Sequence, residues 1–227
     1  MLIKIKIKRF LFATLFIAGL LIVIPISAAK ITAVRVGSKI NVTIDNKYFT
    51  SYECIWSRPG ALAPVKDTRK IIITSPSSTV SQIDVEIVME TLIDVTIKKT
   101  NHSLFSARMA ADLSVKNGGT MINAEGIKSE KDTFGKNSPW IDYFGKRGDA
   151  IEGLAILQHP SNPWYPSPWF TRDYGFMSPT PMYWPENGTD TFMKKGTILS
   201  LRYRVLVHAD DQKQAKIAEQ FEKYKKE

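Results

Sequence analysis

The 227-residue chain holds one cysteine, Cys54, and three scattered histidines, His102, His159 and His208. A single cysteine excludes an internal disulfide, so the fold must rest on its core. It lies in an aromatic, strand-like run and reads as a small buried residue rather than a nucleophile. So few histidines and cysteines exclude zinc-ligand spacing, and no metal or cofactor is expected. There is no glycine-rich phosphate loop and no Gly-x-Ser-x-Gly turn, which removes the common nucleotide-binding and serine-hydrolase patterns. Long apolar runs are equally scarce. The one present, Phe10 to Ile26, has no successor, so no membrane insertion is expected beyond it.

That run has the form of an export signal. Lys4, Lys6, Lys8 and Arg9 precede it, and Ser27, Ala28 and Ala29 follow, as in a basic segment, an apolar segment and a small-residue cleavage site. Cleavage is expected after Ala29, making 1–29 a signal peptide and 30–227 a single exported domain, periplasmic or extracellular. The alternative is an uncleaved anchor, since 17 residues are near the lower limit for spanning a bilayer. Removing four basic residues and no acid lowers the formal charge from +9 to +5. Much of the basicity is therefore an address and not a nucleic-acid footprint. Lys213, Lys216, Lys223, Lys225 and Lys226 alternate with Glu219, Glu222 and Glu227 as on a solvated helix face.

The remainder reads as mostly β. Ile40, Val42 and Ile44 alternate with Lys39, Asn41 and Thr43, the period of a half-buried strand. Asp45-Asn46 supplies a turn, and Lys47 to Glu53 returns. Residues 57–80 are broken by Pro59, Gly60, Pro64 and Pro76, with a short strand at Lys70 to Thr74. Ile83, Val85 and Ile87 alternate with Asp84 and Glu86, and a second strand continues through Ile97. Further strands are predicted at Leu104 to Leu113, Ile151 to His159 and Gly196 to His208, with loop and hairpin over 116–131. Ala215, Ala218, Phe221 and Tyr224 recur at helical spacing, predicting one C-terminal α-helix over 210–226, capped by Asp210 or Asp211. Many short strands with one terminal helix argue for an antiparallel β-sandwich.

Residues 135–175 are the chemically distinct stretch. Four of the five tryptophans lie between 140 and 184, and prolines recur at 160, 163, 166 and 168, stiffening a long loop. Aromatic faces stack on sugar rings, while Asn, Asp, Arg and His supply directional hydrogen bonds. Lys136, Trp140, Asn162, Trp169 and Tyr174 are the candidate binding residues. His159, Arg172 and Asp173 are the candidate catalytic centre. His159 could move a proton, Arg172 could clamp a carboxylate or stabilise an enolate, and Asp173 could act as a base or orient its neighbours. The same loop also reads as a plug closing the end of a sandwich, with Arg172-Asp173 as an internal ion pair. His102 and His208, in a turn and at a strand end, read as surface or capping residues.

In order along the chain, Leu104-Phe105-Ser106-Ala107-Arg108, Asn123-Ala124-Glu125-Gly126, Gly135-Lys136, Trp140-Ile141-Asp142-Tyr143, His159-Pro160-Ser161-Asn162-Pro163, Trp169, Arg172-Asp173-Tyr174-Gly175 and Leu201-Arg202-Tyr203-Arg204 resemble the bacterial PmoA-like family. Val42 to Pro59 resembles its N-terminal portion. The label means methane-oxygenase-subunit-like, yet this chain lacks the many spans and the copper-type histidine cluster of such a subunit. The resemblance implies instead a sandwich similar to the galactose-mutarotase type, holding a sugar or sugar acid on an open sheet face; fold alone does not give function. One departure matters. Family members carry a segment of the form Asp-His-Pro-His-His-Arg-Gly between the N-terminal and central strands. Here Arg58-Pro59-Gly60 leads to Gln82-Ile83-Asp84 without a histidine, so the supersandwich would be incomplete.

Two functional readings follow. One is an exported bacterial protein that binds or processes a carbohydrate or sugar acid, with His159 as acid/base and Arg172 as electrostatic stabiliser. The other is a degenerate, non-catalytic relative that acts as a binding or interaction protein, or persists as a remnant. The sequence leaves open whether the protein is an enzyme.

Overall fold

The structure, a computed structural model, describes residues 2–7, 30–36, 39–44, 47–53, 63–98, 104–180 and 190–227. The apolar run Phe10 to Ile26, the turn expected at Asp45-Asn46, Cys54, His102 and Trp184 lie outside them. In chain order the strands are β1 (Leu2–Ile7), β2 (Ile31–Val36), β3 (Lys39–Ile44), β4 (Lys47–Glu53), β5 (Val65–Thr74), β6 (Val80–Thr91), β7 (Val95–Ile97), β8 (Ala107–Arg108), β9 (Thr120–Asn123), β10 (Trp140–Arg147), β11 (Ala150–Gln158), β12 (Trp169–Thr171), β13 (Phe176–Pro179), β14 (Thr191–Met193) and β15 (Ile198–Ala209). The helices are α1 (Ser129–Thr133) and α2 (Ile217–Tyr224).

The main sheet runs β1-β5-β6-β15-β11-β10-β9. Its pairings are antiparallel except that of β1 with β5. Three smaller sheets accompany it, β12-β13-β8, β2-β3-β4 and β14-β7. The architecture is mostly β, sandwich-like and open, with a helix near the C-terminus. The strands at Lys39 to Ile44 and Lys47 to Glu53 match expectation, and the described part of the proline-broken stretch holds β5, which begins right after Pro64, is longer than the strand expected at Lys70 to Thr74 and forms a long hairpin with β6.

Period-two alternation gives the main sheet two buried faces. On β15, Leu199, Leu201, Tyr203 and Val205 join Ile87, Ile156, Trp169 and Met177 in the inner core, beneath the smaller sheets. Leu206 points the other way and joins Ala155, Leu157, Ile217, Phe221 and Tyr224 in the outer core under α2. Burying a large apolar side chain of this kind contributes about 1.5–3 kcal/mol, so both layers are held by burial.

Three expectations are corrected. Leu104 to Leu113 is not one strand. Only Ala107–Arg108 pairs, and a 3-10 turn follows at Ala111–Leu113, because Ala110, Ala111 and Asp112 are all exposed and the period is lost. The terminal helix spans Ile217–Tyr224 and not 210–226. Asp211 does cap, but it caps a turn, its carboxylate accepting from the Lys213 and Gln214 N–H groups, both at 2.9 Å. Lys216, at φ 54°, then breaks the backbone from the helix. Finally, Trp140 to Tyr143, read as part of a binding segment, begins β10. These four residues are buried on both faces and so show no alternation to read.

Candidate functional site

The loop after β11 is built into the protein rather than draped over it. Trp169 is fully buried in the inner core and its indole N–H donates to the Ser138 carbonyl at 2.8 Å. Trp140 sits in the outer core. The two rings thus serve opposite faces of the main sheet. Asn162 is buried and its amide brackets the backbone of Arg202, donating to the carbonyl at 2.9 Å and accepting from the N–H at 2.7 Å. It extends the β15 ladder and has little left for a ligand. Lys136 is exposed, and its carbonyl accepts from the Trp169 N–H.

Arg172 and Asp173 form a separate cluster around α1. The Arg172 guanidinium lies 2.9 Å from Glu130 and stacks on Phe134 and Phe170, at 4.5 and 4.1 Å from their ring centres. Asp173 accepts from the Glu130 N–H at 2.8 Å, and its own N–H donates to the Glu130 carboxylate at 3.0 Å. Asp173 therefore satisfies one of the N–H groups that the first turn of a helix leaves free. Tyr174 is exposed, with Arg108 and Lys116 at 5.1 and 5.9 Å from its ring. Gly175 follows at φ +107°, where a Cβ would meet the Met109 carbonyl at 2.8 Å, so this turn requires glycine.

His159 belongs to neither group. Its Nδ1 lies 2.6 Å from the Ser161 hydroxyl, its Nε2 lies 3.1 Å from Arg202 Nη1, and its ring meets Tyr224 edge-on at 5.1 Å. Guanidinium nitrogens only donate. The Ser161 N–H also donates to Nδ1 at 3.1 Å, and Arg202 Nη1 lies 3.4 Å from that nitrogen, so Nδ1 acts as an acceptor. Burial, and then the Arg202 charge, hold the imidazole below its ordinary value. Its partners and those of Arg172 have no residue in common, so the structure does not gather the three predicted catalytic groups.

Arg202 leads to a feature the loop did not announce. The outer faces of β5, β6 and β15, with the end of α2, enclose a groove of about 830 Å³. Lys70, Gln82, Glu86, Arg202, Gln220 and Lys223 line it, among others. At one wall stands Arg204, only 3% exposed. It makes paired hydrogen bonds to Asp84 at 2.6 and 3.1 Å and to Glu227 at 3.1 and 2.7 Å, and stacks on Tyr224 at 4.3 Å. Arg202 has no carboxylate within ion-pair distance among the described residues. Part of this was legible: β6 carries Asp84 and Glu86 opposite its apolar residues, and Arg202 and Arg204 alternate with Leu201 and Tyr203. Such a polar face usually means solvent. Here α2 partly covers it.

The third histidine corrects its reading as a surface group. His208 and Asp142 are both without side-chain exposure, with Nε2 2.9 Å from the carboxylate. Burial alone would lower the imidazole, but the Asp142 hydrogen bond and charge, with the carbonyls of Ala209 and Asp210, hold it above its ordinary value. Among the described residues no group of three His, Cys, Asp or Glu side chains could hold a metal ion, and no helix is long and apolar enough to cross a membrane.

A family model described as "Family of unknown function (DUF6807)" matches residues 34–222, and the chain belongs to that family. No curated protein and no solved structure matches.

Proposed function

We propose, with membership of that family as the premise, that this protein binds a carbohydrate in the groove on the outer face of its main sheet. One observation carries the reading: Arg202, a half-buried guanidinium without a carboxylate partner among the described residues, lines a concave surface of mixed donors and acceptors. Amide, ammonium and carboxylate groups of both hydrogen-bonding senses suit a ligand whose hydroxyls both donate and accept. His159 is not in the groove's lining but lies behind Arg202, its Nε2 3.1 Å from the guanidinium, and so bears on the site through that arginine. Its resemblance to the PmoA-like family agrees with a sugar ligand on an open sheet face. The basic, apolar and small-residue segments at the N-terminus agree with export; cleavage after Ala29 would take β1 from the sheet and leave β5 as its edge.

Binding without chemistry is the second reading, and one observation favours it. Arg172 and Asp173 are committed to Glu130 and to α1, leaving His159 without either as a catalytic companion. The two readings share a first experiment. Thermal unfolding of the protein is followed with a panel of neutral sugars and uronic acids, since a ligand that binds only the folded state raises the melting temperature. A shift by one sugar class that disappears in Arg202→Ala supports the groove. No shift with any sugar removes the proposal.

A further inference from the structure

Resting on the groove reading above, we infer that its ligand is a sugar acid, and that Glu227 occupies the place of the ligand's carboxylate until the ligand displaces it. Arg204 offers two hydrogen-bonding edges, and both are filled by carboxylates. The two are not equally held. Asp84 stands in a central strand, paired on both sides, with 24% of its side chain exposed. Glu227 stands in the turn after α2, its side chain 51% exposed. Water reaches the Glu227 carboxylate though not the Arg204 guanidinium, so Glu227 can exchange this partner for solvent more readily than Asp84 can.

The charges around the groove fit an exchange. Lys70, Arg202, Arg204 and Lys223 face Asp84, Glu86 and Glu227. Within these, Lys70 is paired with Glu86 at 3.3 Å, and Arg204 with Asp84 and Glu227. Replacing the Glu227 carboxylate by that of a ligand keeps Arg204 satisfied on both edges, and the ring would lie toward Arg202, two residues along the same strand face. A neutral sugar makes a poorer exchange. Its hydroxyls would accept from the buried guanidinium without the charge and the paired geometry of a carboxylate.

The test is titration calorimetry with sodium galacturonate, sodium glucuronate, galactose and acetate against the wild-type protein and Glu227→Gln. The substitution lies at an exposed turn, and thermal unfolding of both proteins checks that the fold is retained. The expected result is that at least one uronate binds more tightly than galactose, and that Glu227→Gln tightens the uronate by about fivefold, the equivalent of losing one exposed ion-pair competitor, while galactose is unchanged. If galactose and both uronates bind alike, or if Glu227→Gln leaves uronate affinity the same or weaker, the sugar groove stands and this inference falls. Acetate binding as tightly as the uronates overturns it too, since the site would then hold bare carboxylates. If no sugar binds either protein, both the inference and the groove reading fall.

Discussion

His208 and Asp142 meet across a strand that belongs to neither. His208 is on β15, Asp142 on β10, and β11 runs between them. Gly153 of β11 is paired with His208 and makes the crossing possible, since a Cβ there would lie 2.1 Å from the imidazole Cε1. The side chain missing from one strand is the space through which two others are joined.

Gly153→Ala should therefore destabilise the protein by about 1–3 kcal/mol, the usual range for overfilling a packed site. Urea unfolding measures it. Because the clash is with His208 itself, the double variant Gly153→Ala, His208→Ala should cost less than the two single changes together. Strict additivity would mean that the glycine does not serve the histidine.

The two described histidines should give opposite pH dependence. His208 is raised above 6.5 in the folded state, so its contribution is fully present below that value and is lost as the pH rises through its folded value. His159 is lowered below 6.5, so its contribution is present above that value and is lost as the pH falls through its folded value. Stability should be greatest near their shared ordinary value. NMR titration of the imidazole protons, with His208→Gln and His159→Gln as assignments, tests both signs; His208 titrating below 6.5 would refute the first.

Arg202→Met should raise the His159 titration midpoint, because it removes a cation 3.1 Å from Nε2. A midpoint unchanged from the wild type would mean that burial alone sets the imidazole.

The loop and the groove are separable by substitution. Asp173→Ala should lower stability by about 1 kcal/mol, as loss of a helix-end acceptor does, without changing sugar affinity. Arg202→Ala should reduce sugar affinity at least about tenfold, the loss of one charged hydrogen bond, with little effect on unfolding. The reverse pattern would return the site to Arg172 and Asp173.

Trp169→Ala should cost about 3–5 kcal/mol by emptying part of the inner core, as measured by urea unfolding. Tyr174→Ala, at an exposed position, should stay within about 0.5 kcal/mol.

The strands that alternate were legible in the sequence, because one buried face writes itself as every second residue. β3 and the odd positions of β15 are of this kind. β10 was not, since both of its faces are covered. The Trp- and Pro-rich loop drew the eye for its composition, but rare residues mark a packed loop as readily as a site, and Trp169 and Trp140 are spent on two cores. His208 was illegible for another reason: its partner lies 66 residues away in sequence, and the signal for its burial was an unremarked glycine on a neighbouring strand. The groove residues were visible only as the polar half of β6 and β15, which is indistinguishable from a wet surface until a helix is seen lying beside it.

β15 also acts as a ruler. Arg202 and Arg204 occupy alternate positions on one extended strand, which places their backbones about 7 Å apart at the usual rise per residue. A hydrogen-bonded strand held between two neighbours cannot stretch or shorten to suit a guest. Positions on flexible loops can adjust their separation, whereas the roots of these two arginines are fixed at the pitch of the backbone, so the proposed ligand would meet a spacing set by the strand.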